Sequence, residues 1–232
     1  MTLLPRQVAP EEVSFRSSDG VMVFGDLYRV DGSTNGPLVL LLHQSASNTT
    51  EYASVVPHLL RRGFHVLAID ARGGGGVNRT VARLEHHGGG PQAYHDFNAA
   101  LQYLRAHGFS GPIGIIGSSY SAGRIFQVLA EKPEGVAALA AFSPGAAFAR
   151  GDPSWAEQVE IPVLMSWAPD ELDEDRRRRF ENVASPRKRL LIQSTGVHGA
   201  STLDPEKNPD GWEENLEAVL SFFDQTLRSP ER

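Results

Sequence analysis

Cysteine is absent from all 232 residues, which excludes disulfides, thiolate metal sites and a cysteine nucleophile. No charge of one sign dominates either: 22 basic residues stand against 28 acidic ones, a formal net charge of −6. That balance argues against a nucleic-acid or anionic-membrane surface as the main partner and suits a small neutral or modestly polar molecule. Long apolar runs are missing too, and the start, Met1-Thr2-Leu3-Leu4-Pro5-Arg6, has no basic stretch followed by an apolar one. The chain therefore reads as soluble and cytoplasmic. Internal repeats and low-complexity tracts are absent apart from glycine clusters at 73–76 and 88–90. What remains is enough apolar content for a full core, and a length that suits a single α/β domain over residues 1–232.

The apolar pattern changes once along the chain. Residues 12–17 and 21–30 gather β-forming side chains around Ser18-Asp19-Gly20 and read as an antiparallel hairpin. After it come continuous apolar runs at 37–42, 64–69, 112–116, 136–142, 162–167 and 189–192, the pattern of parallel strands buried on both faces. Amphipathic stretches at 51–62, 93–107, 122–131, 173–182 and 212–227 lie between most of these runs or after them, with Phe97, Leu101 and Leu104 one clear helical stripe. Strands alternating with helices imply a mostly parallel, doubly wound sheet whose ligands bind beyond the carboxyl ends of the strands. The connection at 143–160 is too short to hold a substantial cap domain.

The loops after the strands hold the chemistry. Ile113-Gly114-Ile115-Ile116 runs into Gly117-Ser118-Ser119-Tyr120-Ser121-Ala122-Gly123, and a short strand, a small-residue turn and a helix make up a nucleophile elbow. Two frames compete, one with Ser119 as nucleophile and one with Ser121. The strand ends immediately before Gly117, which favours Ser119; an ordinary turn with a serine cap is the plain alternative. A serine hydroxyl needs a histidine to accept its proton, and the histidine needs a carboxylate to orient it. His198 follows the run at 189–192, while Asp170 and Glu171 follow 162–167. Either carboxylate can face His198 on sequence grounds.

Taken together, Leu41-Leu42-His43-Gln44-Ser45, Ala68-Ile69-Asp70-Ala71-Arg72, Gly117-Ser118-Ser119-Tyr120-Ser121 and Val197-His198-Gly199 give a chain that resembles the α/β-hydrolase superfamily. The resemblance is closer to its small, lidless, dienelactone-hydrolase-like serine esterases and covers essentially the whole length. It implies an α/β-hydrolase fold and cofactor-free hydrolysis of small esters or lactones through an acyl-enzyme. It also implies Asp170 as the triad acid, and an oxyanion hole from the backbone N–H groups of Gln44 and Tyr120. His43 and Trp167 are the substrate-side candidates, although the resemblance also gives the His43 position a loop-organising role. Two departures stand out: dienelactone hydrolases proper use a cysteine, and Ser121 replaces the final glycine of the elbow. Thioester, amide or peptide cleavage, or ligand capture with little turnover, are the alternatives on the same scaffold.

Other candidates read as structure. Asp70 and Arg72 are expected to brace loops, and Arg176 to Arg179, following Asp173, Glu174 and Asp175, form a self-paired exposed face. His86-His87 lacks the further ligands of a metal site. Tyr120 and Trp155 are either acyl-pocket or core aromatics.

Overall fold

The computed structural model describes residues 9–75, 77–84 and 90–228. Strands β1 (Glu11–Arg16) and β2 (Met22–Tyr28) form the hairpin, reversing at Gly20, whose φ of +90° suits a residue without a Cβ. β3 (Leu38–Leu42), β4 (His65–Asp70), β5 (Ile113–Ser118), β6 (Val136–Phe142), β7 (Val163–Trp167) and β8 (Lys188–Ile192) complete one eight-stranded sheet in the order β1-β2-β4-β3-β5-β6-β7-β8. The β1/β2 and β2/β4 pairings are antiparallel and the other five are parallel. The mostly parallel sheet with an N-terminal hairpin is the α/β-hydrolase architecture expected from the sequence.

The apolar runs of the inner strands are explained by burial on both faces, whereas β8, at the edge of the sheet, buries only Leu191 and leaves Ile192 57% exposed, which corrects the expectation for 189–192. Leu38, Leu40 and Leu42 enter one core cluster with Phe97, Leu101, Leu104, Ile125 and Phe126, whereas Val39 and Leu41 enter the other with Val219, Leu220 and Phe223. The helices are α1 (Val56–Arg61), α2 (Ala93–Ala106), α3 (Tyr120–Leu129), α4 (Ala146–Arg150), α5 (Ser154–Glu157), α6 (Glu174–Glu181) and α7 (Trp212–Leu227). α2 and α3 cover the first face, α1 and α7 the second.

One expected helix is broken. Residues 51–62 divide into a 3₁₀ turn, Thr49–Tyr52, and the short α1. Pro57 near the start of α1 suits a helix beginning there, where its missing N–H costs no helical bond. The connection between β6 and β7 holds only the short α4 and α5. Among the described residues no helix is long and apolar enough to cross a membrane.

Candidate active site

Strain marks the site before any chemistry is considered. Ala46, Ser119 and Ser143, in the turns after β3, β5 and β6, have φ of 59°, 53° and 45°. Each left-handed, non-glycine residue costs on the order of 1–3 kcal/mol and persists only where its surroundings dictate it. Ser119 (ψ −112°) stands between β5 and α3, its N–H bonded to Phe142 O at 2.8 Å and its carbonyl accepting from Gly123 and Gly145 at 3.0 and 2.9 Å. Gly117 is required for the tight turn, because a Cβ there would lie 2.8 Å from Ala122 Cα. Ser121 is fully buried and donates its hydroxyl to His43 O at 2.5 Å. Of the two elbow serines, Ser119 alone is presented to His198.

His198 Nε2 lies 2.7 Å from Ser119 Oγ, and His198 Nδ1 donates to Glu171 Oε1. With Nδ1 carrying its proton toward the carboxylate, neutral imidazole has its Nε2 lone pair free for the serine proton. The backbone behind His198 is fixed at two points: Gly199 N–H donates to Ser143 Oγ at 3.0 Å and Ala200 N–H to Ser118 Oγ at 2.9 Å. Gly199 itself has φ +69°, and a Cβ there would meet Ser118 Oγ at 2.5 Å.

The carboxylate on His198 belongs to Glu171, which corrects the expectation of Asp170. The turn after β7 closes with Glu171 N–H on Ala168 O at 2.9 Å, and the Glu171 side chain folds back to accept Ser143 Oγ–H at 2.5 Å and Ala168 N–H at 3.2 Å. Asp170, at the outside of that turn, is exposed. Burial works to raise the pKa of Glu171. The hydrogen bonds from Ser143 and His198, with the charge of His198, outweigh it and hold the carboxyl below its usual range.

Three further expectations are corrected by the geometry. The Gln44 N–H is turned inward and donates to Glu51 Oε2 at 2.6 Å, so it is not free as a donor beside Ser119. His43 is fully buried, with Nδ1 donating to Gln44 O at 2.7 Å and Nε2 accepting Ala71 N–H at 2.9 Å; burial lowers its pKa, and it braces the loop instead of meeting substrate. Trp167 is 2% exposed and packs against Phe148, so almost none of its surface is open to a substrate.

Tyr120 does border open space. A cavity of about 400 Å³ is lined by Ser45, Gly73, Gly74, Tyr120, Arg124 and Ala146, among others, so it abuts the elbow one residue from Ser119. Asp70 and Arg72 brace loops, though not each other: Asp70 pairs with Arg79 at 2.6 Å, and Arg72 with Asp96 at 2.6 Å and with Asp19. Asp173 caps α6 and pairs with Arg176. Trp155 lies under the Arg124 guanidinium, and His86-His87 falls outside the described residues.

Sequence reasoning gave no role to Ser143, Ser118 and Glu51. The one signal for the serines was position, a hydroxyl at the carboxyl end of a buried or nearly buried strand. For Glu51 there was none, since an acidic residue in an amphipathic stretch reads as solvated.

A family model described as the alpha/beta hydrolase fold matches residues 37–195. No curated protein matches the chain by sequence. Among solved structures, an esterase of Pyrococcus furiosus is similar with a TM-score of 0.73 and 20% identity, over 95% of this chain and 92% of that one. A dienelactone hydrolase of Anabaena variabilis gives 0.76 and 20%, over 96% and 100%. Est1E of Butyrivibrio proteoclasticus, bound to ferulic acid, gives 0.73 and 14%, over 94% and 100%.

Proposed function

Because the chain belongs to the α/β-hydrolase fold family, we propose that it is a serine hydrolase cleaving small carboxylic esters through an acyl-enzyme, with Ser119, His198 and Glu171 as nucleophile, base and acid. The observation that carries this reading is the continuous relay from Ser119 Oγ to His198 Nε2, 2.7 Å apart, and from His198 Nδ1 to Glu171. The esterases among the similar structures agree with it.

In this reading His198 takes the proton of Ser119 as Oγ attacks the ester carbonyl. The imidazolium, stabilised by Glu171, then protonates the departing alcohol. Water repeats the sequence on the acyl-enzyme, giving up its proton to His198 and releasing the acid and free Ser119. The charge on the tetrahedral oxygen is received by two backbone N–H groups. Tyr120 supplies one, since the first N–H groups of a helix have no intrahelical partner. Ser45 supplies the other: its N–H follows the inward-turned peptide of Gln44 and has no hydrogen-bond partner among the described residues. Both residues line the cavity.

The deciding experiment is hydrolysis of p-nitrophenyl acetate and butyrate by the wild-type protein and by Ser119→Ala. Turnover that vanishes in the variant supports the reading. A folded wild-type protein that hydrolyses no ester in a panel of acyl lengths rejects it.

A further inference from the structure

Glu51 is 4% exposed, and the relay described above makes no use of it. It sits in the 3₁₀ turn Thr49–Tyr52, where the Asn48 side chain accepts Thr50 N–H and sets the start of the turn. From that turn two side chains reach back toward the end of β3. Tyr52 donates its hydroxyl to Leu42 O at 2.8 Å, which already fixes the strand end. Glu51 acts two residues further on, with Oε2 accepting Gln44 N–H at 2.6 Å, while Oε1 has no hydrogen-bond partner among the described residues.

The choice of a carboxyl group here is expensive. Burial raises the pKa of Glu51, against the opposing influence of the Ser118 hydroxyl and the Gln44 N–H. An uncharged acceptor would satisfy one N–H without that cost. A carboxylate makes a stronger and more directional bond to a backbone N–H than a neutral acceptor does, so its gain is precision in one peptide. That peptide leads directly into Ser45, on the cavity wall. Downstream the loop is held by Ala46 N–H on Gly73 O at 3.1 Å and Ser47 N–H on Gln44 O at 3.3 Å. With the segment fixed on both sides, turning the Gln44 N–H inward leaves the Ser45 N–H as the free donor.

We infer that Glu51 is a positioning residue that sets the oxyanion-binding turn by holding the Gln44 N–H, so that the Ser45 N–H meets the reacting carbonyl oxygen. The inference rests on the ester-hydrolase reading above. Glu51 touches neither substrate nor Ser119, and it acts only through the backbone of residues 44–45.

The test compares Glu51→Leu, Glu51→Gln and wild type in kcat, KM, the rate of fluorophosphonate attachment to Ser119, and the active fraction from burst titration. A misplaced donor weakens transition-state binding more than substrate binding. Glu51→Leu should therefore lower kcat per active site about a hundredfold, the order of loss when one oxyanion donor is removed, with KM changed less than about threefold. Attachment of the phosphonate should slow in parallel. Glu51→Gln keeps an acceptor for Gln44 and should recover most of the lost kcat. The inference is overturned if Glu51→Leu retains kcat within about threefold, if its loss is entirely a smaller active fraction, or if KM rises while kcat holds. Should Glu51→Leu not fold, Glu51→Asp, one methylene short of Gln44, should lower kcat about tenfold at unchanged KM, and a wild-type kcat there overturns the inference equally. A wild-type protein that neither hydrolyses esters nor labels at Ser119 rejects the ester-hydrolase reading and this inference with it. An active wild type with indifferent Glu51 variants rejects the inference alone.

Discussion

The hydroxyl of Ser143 donates to Glu171 Oε2 at 2.5 Å. Ser143 Oγ in turn accepts the Gly199 N–H at 3.0 Å, so one side chain after β6 joins the carboxylate after β7 to the backbone that follows His198. The φ of 45° at Ser143 is the local cost of that placement. Three strand ends are thus coupled through one hydroxyl, and the His198–Glu171 bond is held at both partners.

Removing the hydroxyl should damage turnover more than binding. Ser143→Ala takes away a hydrogen bond to a charged group, worth about 1.5–3 kcal/mol, and kcat should fall about ten- to a hundredfold with KM little changed. It also removes one of the influences that lower the Glu171 pKa, so Glu171 should take up its proton at a higher pH than before. In a plot of log kcat/KM against pH, the acid limb of the variant should be steeper, because protonation of Glu171 then adds to it as pH falls. An acid limb of unchanged slope would show that Ser143 does not tune the carboxylate.

The two adjacent carboxylates should behave very differently. Glu171→Gln leaves an amide that cannot stabilise the imidazolium and should cost about three to four decades in kcat, as for the acid of comparable triads. Asp170→Asn, on an exposed side chain at the outside of the turn, should change kcat less than about threefold. Equal losses in the two variants would contradict the geometry.

Most of the fold was legible because burial on two faces writes itself into consecutive residues such as Leu38 to Leu42, which needs no knowledge of neighbours. The meeting of Ser119 with His198 was legible for a related reason: one follows the buried β5 and the other the apolar edge strand β8, and parallel strands bring such ends to one edge. The carboxylate that meets His198 was not, because Asp170 and Glu171 differ only in which way a single turn folds, and that is decided by Ala168 within the turn and Ser143 from another segment. The turn after β3 failed similarly. Gln44 and Ser45 offer identical N–H groups, and the inward bond to Glu51 separates them. Residues 51–62 kept their helical periodicity on paper, yet the turn at Thr49–Tyr52 spends Glu51 and Tyr52 on the end of β3.

A fluorophosphonate should label the protein once, on Ser119, since reaction needs an activating base and oxyanion donors together. Ser119→Ala should abolish labelling. Ser121→Ala should keep it while losing about 1 kcal/mol of stability, because the Ser121 hydroxyl is bonded to His43 O at 2.5 Å in the interior. Peptide mass spectrometry of the adduct and chemical denaturation of Ser121→Ala check the two halves. An adduct on Ser121 would reverse the assignment of the elbow.

Acyl chains of about two to six carbons should be preferred, with kcat/KM falling beyond that. The cavity beside the elbow holds about 400 Å³, and the β6–β7 connection contains only Ala146–Arg150 and Ser154–Glu157. Each further methylene is worth about 0.8 kcal/mol only where a wall exists to bury it. A p-nitrophenyl ester series from acetate to palmitate measures this, and a maximum at long chains would mean that a larger surface receives the acyl group.

Stability should respond to pH with opposite signs at two carboxyl groups. Burial raises the pKa of Glu51, whose charged and titratable surroundings are Lys207, Tyr52 and Tyr120. Relative to an unperturbed glutamate, its contribution is most favourable below the unfolded pKa and is lost as pH rises through the higher folded value. Hydrogen bonding to Arg72 is the largest influence on Asp19 and depresses its pKa against partial burial. Its contribution is fully present above the unfolded pKa and is lost as pH falls through the lower folded value. The melting temperature of Glu51→Gln relative to wild type should therefore climb from about pH 4, the ordinary carboxylate range, toward alkaline pH. That of Asp19→Asn relative to wild type should stay level above about pH 4 and climb as pH falls below it, because the wild type then loses the ion pair with Arg72. Thermal unfolding of the three proteins from acid to alkaline pH checks both signs, and curves parallel throughout for either variant and wild type would mean that its carboxyl titrates alike in the folded and unfolded states.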